Sequence, residues 1–391
     1  MKRPIALALV FAAALWLLGG CAGTPQSVPR VPDGLFMDSA FAAPAQPVDA
    51  AQVFALSPAM KRYLEVEIAP LLRTSGRHRG LVEALHSRAH LRLDYDTEVT
   101  RTAAEAFDAR SGNCLSLVVM TAALAKHLEL VIQYQALLGQ ESWSRSGNLS
   151  FINGHVNISV DRRLIDRVQG YDTDGALRLT FGTIDAGRGA ALRVVSEAAI
   201  LAMFMSNRAA ESLVRGDLDQ AYAYAKEAAR QDPSYAGGFN TLGVIYRQRG
   251  LADAAERTYR HALMLEGDHR AALDNLATLL ETQGRATEAL PLRLALRRIE
   301  AEPPFRQFDL GRAAMARGDP ATAREHFQRA LKRDPDYHEF HYWLALALAG
   351  LGDAKGASRH LSIAAENSTT RQDQALYAGK LDRLKAAQRV N

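Results

Sequence analysis

Cys114, His155 and Asp166 are the residues of this chain whose types and order could carry nucleophilic chemistry. The stretch DARSGNCLSLVVM (108–120) puts Cys114 just after Gly112, at the head of an apolar run. A thiol attacks as the thiolate, and a helix N-terminus favours the thiolate through its unpaired N–H groups and its dipole. Ser111, Gly112 and Asn113 are turn residues, and LSLVVMTAALA after the cysteine is apolar on nearly every face. The pattern predicts a buried helix with Cys114 at its leading edge, where a backbone N–H can serve an oxyanion. The plain alternative is a buried core cysteine.

A nucleophilic cysteine needs a base, and the base needs an orienting group. His127 lies on the same predicted helix, roughly 20 Å along its axis, which is too far. His155, in the strand-like NGHVNISV, belongs to another element that can fold back over the helix tip. Asp166, in RRLID, falls on what reads as the returning strand, with Asp161 and Asp172 as alternatives. Gln133 and Asn153 are candidate oxyanion donors. Glu83, His86 and His90 share a helix face, but no fourth ligand is evident and the face reads as solvated, so no metal or cofactor is expected.

The other cysteine is Cys21. Lys2 and Arg3 precede IALALVFAAALWLL (5–18), whose helical length of about 21 Å is short for a membrane span of roughly 20 residues. This is the pattern of a secretory leader. LGGC (18–21) resembles a bacterial lipobox. The resemblance implies that Cys21 is lipidated and opens the mature chain, and Ala22 after it implies the outer membrane. Cys114 would then have no disulfide partner in an oxidising compartment, and its presence there calls for a reason.

Several elements must position these residues. Pro-rich 22–54 reads as a flexible tether. Residues 55–201 read as helices followed by strands: SPAMKRYLEVEIAPLL with Ser57 as N-cap and Pro58 at the first helical position, GLVEALHSRAHLRL, TEVTRTAAEAFDARS, the Cys114 helix, then strands over 130–139 and 151–161. From 202 the chain repeats. Gly216, Gly250, Gly284, Gly318 and Gly352 are 34 residues apart, and Ala221, Ala255, Ala289, Ala323 and Ala357 keep the same step. Such a period means stacked helix-turn-helix units.

The repeats resemble the tetratricopeptide repeat, most clearly at Leu242, Gly243, Tyr246, Gly250, Ala255, Tyr259 and Ala262, and again at Leu310, Gly311, Gly318, Ala323, Phe327, Ala330 and Pro335. Five repeats span 202–371, and 372–391 reads as a C-terminal capping helix. The first repeat has Arg208 and Ser212 where large apolar residues are expected, which marks an interface or capping unit. The resemblance implies a groove for a protein or peptide partner, lined by Asn240, Val244, Arg247, Asp274, Phe308, Arg312 and Tyr342.

TAAEAFDARSGNCLSLVVMTAALAKHLEL, GHVNISV and RRLID together resemble the transglutaminase-like, papain-related cysteine hydrolases. That resemblance carries a Cys-His-Asp triad onto Cys114, His155 and Asp166, and matches Arg110, Gly112 and Cys114 to the family's R-x-G-x-C feature. The chain departs from the family after the histidine, where Val156 and Asn157 replace an aromatic pattern. The expected fold is an α+β transglutaminase-like domain followed by an all-α tetratricopeptide-repeat superhelix. The expected function is acyl transfer to water or to an amine at the periplasmic face of the envelope. The alternative is an inactive scaffold lipoprotein acting through its repeats. Net charge is only +4 and no basic run of five appears, so nothing demands nucleic acid.

Overall fold

The computed structural model describes residues 30–86, 91, 93–96, 99–137, 142–146, 149–153, 155–162, 176–181, 192–299, 305–368 and 371–390. Ser57 caps α1 (Pro58–Arg62) by accepting from the Met60 N–H at 3.2 Å. The helix expected from Ser57 onward is broken. A π turn at Tyr63–Glu67 follows α1, and the chain restarts as α2 (Ala69–Thr74) with Pro70 in its first turn, where a missing N–H costs nothing. After α3 (Arg77–His86) and the short β1 (Asp94–Tyr95), α4 (Ala103–Ala109) opens with a capping box. Thr102 Oγ1 accepts from the Glu105 N–H, and Glu105 Oε2 accepts from the Thr102 N–H.

Arg110, at φ 52°, then reverses the chain into β2 (Ser111–Gly112), which pairs in parallel with β1. The helix α5 (Cys114–His127) follows directly, and Leu115 through Ala125 are all buried. Its first residue is therefore fixed by the core behind it. The strands β3 (Val131–Leu137), β6 (Val156–Asp161), β7 (Leu177–Leu179) and β8 (Leu192–Val195) form one antiparallel sheet in the order β7-β6-β3-β8. A hairpin of β4 (Ser142–Ser146) and β5 (Leu149–Asn153) stands apart from that sheet. Val156, Ile158 and Val160 join α5 in the core, as period-2 alternation requires.

Ten helices form the repeats: α6 (Glu197–Val214), α7 (Leu218–Gln231), α8 (Ala236–Gln248), α9 (Ala252–Leu265), α10 (Arg270–Thr282), α11 (Ala286–Ile299), α12 (Arg306–Ala316), α13 (Pro320–Arg333), α14 (His338–Gly350) and α15 (Ala354–Asn367); α16 (Arg371–Val390) closes the array. The five periodic glycines have φ between 76° and 81°, a left-handed turn that side chains resist. Gly243 and Gly311 serve a different need. A Cβ on either would sit 2.5 Å from the ring of Tyr259 or Phe327, so glycine here lets two helices touch.

Two expectations are corrected. Residues 33–54 are not a free tether but a strap on the first repeats. Phe41 stacks on Tyr222 at 4.0 Å, Asp38 Oδ1 accepts from the Tyr222 hydroxyl at 2.7 Å and pairs with Lys226, and the Tyr246 hydroxyl donates to Leu35 O at 2.8 Å. Gln46 and Gln220 exchange two hydrogen bonds, and Val53 is a core residue. The average composition is that of a linker, but these few anchors decide.

The repeat array is also uneven. Among the described residues, one core ends with α11 and a second begins at Phe305. Arg293 stands where the neighbouring repeats have Tyr259 and Phe327, and it turns back to Asp274, Thr278 and Glu281 of α10. Among the described residues, the side-by-side packing that joins α9 to α10 and α13 to α14 is much weaker between α11 and α12. Leu290, Leu294 and Ile299 on one side and Leu310 on the other stay exposed.

Candidate functional site

Asn113 caps the Cys114 helix. Its Oδ1 accepts from the Ser116 N–H and from the Ser116 hydroxyl, each at 2.9 Å. Gly112 is required beside it, because a Cβ there would lie 2.6 Å from Ser116 Cβ. As a whole residue Cys114 is half-buried, but its sulfur is packed among neighbouring groups, and the sulfur is the atom that titrates.

Register explains what meets the sulfur. The Leu137 N–H donates to His155 O at 2.9 Å, so the next pair, Ala136 and Val156, is a non-hydrogen-bonded one. The Val156 N–H thus turns away from β3. On that side β7 pairs only as far as Ile158, and the N–H faces Cys114 instead. The Leu115 and Cys114 N–H groups and the Tyr95 hydroxyl also favour the thiolate, but burial outweighs all four and pushes the Cys114 thiol up. A helix N-terminus alone predicts the opposite direction, so this is a correction of sign.

His155 is 3% exposed. Burial pushes its imidazole down, and the neighbouring Asn157 opposes this without closing a hydrogen bond on either of its amide atoms. His155 Nε2 is buried and has no hydrogen-bond partner among the described residues. The structure brings Cys114 to the backbone next to His155, and no described hydrogen bond joins the sulfur to the ring.

Asp166, Asp172, His90 and Cys21 lie outside the described residues. Asp161 is at the far end of β6, about 20 Å from His155 along the strand, and does not fill the third position. Gln133 accepts from Gln135 Nε2 at 3.1 Å and lies opposite Ser159, well along the sheet from His155, so it is no oxyanion donor. The side chain of Asn153 is not among the described ones. Sequence reasoning missed Tyr95. It sits opposite Gly112 in the β1–β2 bridge, a pair too short to leave a periodic signal.

The partner-binding residues divide. Phe308 is 1% exposed and belongs to the core, a correction. Asp274 is taken by Arg293, and Asn240 Oδ1 accepts from Asn275 Nδ2 at 3.0 Å. Arg312 lies over the Trp343 ring at 5.2 Å, and Tyr342 stacks on Tyr377 of α16 at 4.8 Å. Arg247 and Val244 are half-buried on α8. Among the described residues no cluster of three or more metal-ligating side chains occurs, and no helix is long and apolar enough to cross a membrane.

Residues 236–269 and 308–369 match the tetratricopeptide repeat family. The C-terminal half is therefore a tetratricopeptide-repeat array, a fold for protein–protein interaction. A stretch of 98 residues is 34% identical to heat shock protein STI1 of Saccharomyces cerevisiae, covering 25% of this chain and 16% of that protein. Among solved structures, MamA is 18% identical over 42% of this chain and 91% of its own, with a TM-score of 0.25. YrrB, described as a TPR protein with an unusual peptide-binding site, is 21% identical over 46% and 92%, with a TM-score of 0.25. The pilF protein of Pseudomonas aeruginosa is 22% identical over 46% and 83%, with a TM-score of 0.28.

Proposed function

We propose that the chain is a cysteine-dependent acyl-transfer enzyme of the transglutaminase-like kind. It is anchored to the bacterial outer membrane through lipidated Cys21, and its repeats hold a protein or peptide partner. The carrying observation is the placement of Cys114. It opens a helix buried along its length, the Val156 N–H meets its sulfur, and the residue before Val156 is His155, whose buried Nε2 has no hydrogen-bond partner among the described residues.

In this reading the Cys114 sulfur attacks an amide carbonyl and a C–S bond forms. His155 takes the thiol proton and gives it to the departing nitrogen as the C–N bond breaks. Water or a second amine then cleaves the thioester and restores the thiol. Asp166 holds the imidazole tautomer, and the Cys114 and Val156 N–H groups are donors for the developing oxyanion.

One observation favours a second reading, an inactive scaffold. Burial disfavours both members of a resting thiolate–imidazolium pair. A peptidyl vinyl sulfone separates the two. Labelling of Cys114 that disappears in His155→Ala supports the enzyme. A chain that stays unlabelled while folded, yet is alkylated at Cys114 once unfolded, supports the scaffold.

A further inference from the structure

The first repeat helix reaches the thiol centre through a chain of hydrogen bonds. Glu211 Oε1 accepts from the Thr100 N–H at 2.6 Å, and Arg208 Nη1 donates to Thr100 O at 3.0 Å. Both backbone groups of one buried loop residue are thus gripped by charged side chains one turn apart on α6. Thr100 Oγ1 accepts from Asn113 Nδ2 at 2.9 Å, and the Arg101 N–H donates to Ser116 Oγ at 2.8 Å. Asn113 Oδ1 accepts both Ser116 donors, so the capping amide is held at both ends and its orientation is fixed.

Repeat packing does not explain Arg208. The second and third repeats carry Leu242 and Leu276 at its position. Arg208 instead lies over the Tyr224 ring at 5.6 Å, which ties α7 into the same anchor.

We propose that Arg208 and Glu211 are positioning residues for Cys114: through Thr100 and Asn113 they fix the first turn of its helix, so that the repeat array and the thiol centre work as one unit. The functional meaning rests on Cys114 as the nucleophile, while the geometry rests on the hydrogen bonds alone. Releasing Thr100 frees Asn113 and Ser116, loosens that turn and opens the shielded sulfur to solvent.

The test is the rate of iodoacetamide alkylation at Cys114 in the full chain, read by mass spectrometry of its peptide from about pH 6 to about pH 10. Thr100→Ala and Arg208→Ala are expected to alkylate about fivefold faster or more, with the pH midpoint moved down, because local opening removes the burial that raises the thiol. Thr100→Ser and Arg208→Lys keep a donor or hydroxyl in place and restore wild-type behaviour. Ser206→Ala is the control on the same helix, since its hydroxyl pairs with Thr241 Oγ1 at 2.9 Å and not with the loop.

If Thr100→Ala and Arg208→Ala lower Tm but leave the rate and midpoint unchanged, the contact is a structural anchor only and the proposal falls. It falls equally if Ser206→Ala speeds alkylation as much. Should Arg208→Ala fail to fold, Glu211→Ala decides, since it removes the acceptor of the Thr100 N–H while Thr100→Ala leaves both backbone bonds to α6 in place. Failure to form an acyl-enzyme would sink the enzymatic reading and leave this result standing.

Discussion

Cys114 joins two opposing forces. The helix N-terminus, the Val156 N–H and the Tyr95 hydroxyl favour the thiolate, and burial opposes them and wins. Alkylation of the wild-type chain therefore has its midpoint above that of free cysteine at about 8.5, which a pH–rate profile measures directly. Gly112→Ala drives a Cβ against Ser116 and is expected to lower stability by about 1–3 kcal/mol, read by urea unfolding. The cysteine's place at a helix tip was legible in RSGNC because a capping residue and an apolar run are local signals. Ser111 and Gly112, read as turn residues, instead form β2, and the need for glycine at 112 comes from its contact with Ser116. The direction of the thiol shift was not legible, because it is set by burial of the sulfur, which depends on elements that meet Cys114 only through β1–β2 pairing and β6 register.

Secondary-structure elements carry the next set of consequences. The strap rests on few contacts, chiefly Phe41 against Tyr222 with Arg249 above it at 5.1 Å. Phe41→Ala is expected to reduce stability by about 1–3 kcal/mol, toward the low end because the ring is half-buried, and to speed proteolytic cleavage within residues 33–54. A five-proline stretch reads as linker by composition, and two or three anchoring side chains do not change an average.

The last repeat holds a histidine pair. His341 Nε2 donates to Pro335 O at 2.7 Å, so its Nδ1 accepts from His360 Nδ1 at 2.8 Å. Burial first, then His341, holds His360 down to about 4. A histidine depressed in the folded state adds stability above its unfolded value of about 6.5, and that stability is lost as pH falls toward 4. The Tm of the C-terminal helices is expected to drop across that window, and His360→Gln to flatten the drop.

Among the described residues, the strap, the α+β region that carries Cys114 and the first three repeats share one core, while Phe305 onward builds its own. Scanning calorimetry is expected to resolve two transitions, and a chain ending at Ile299 to keep the first. The 34-residue period made the repeats legible, since each unit restates the same glycine and alanine positions. It did not reveal the split, because one substitution, Arg293 in an aromatic place, alters packing without altering the period.

In the proposed reaction Cys114 accepts an acyl group with His155 as its base. The direct measurement is the intact mass of the full chain, quenched in acid during reaction with a peptide p-nitrophenyl ester. One acyl adduct is expected on Cys114, absent in Cys114→Ala and strongly reduced in His155→Ala. An adduct that never forms, or that forms equally well without His155, contradicts it.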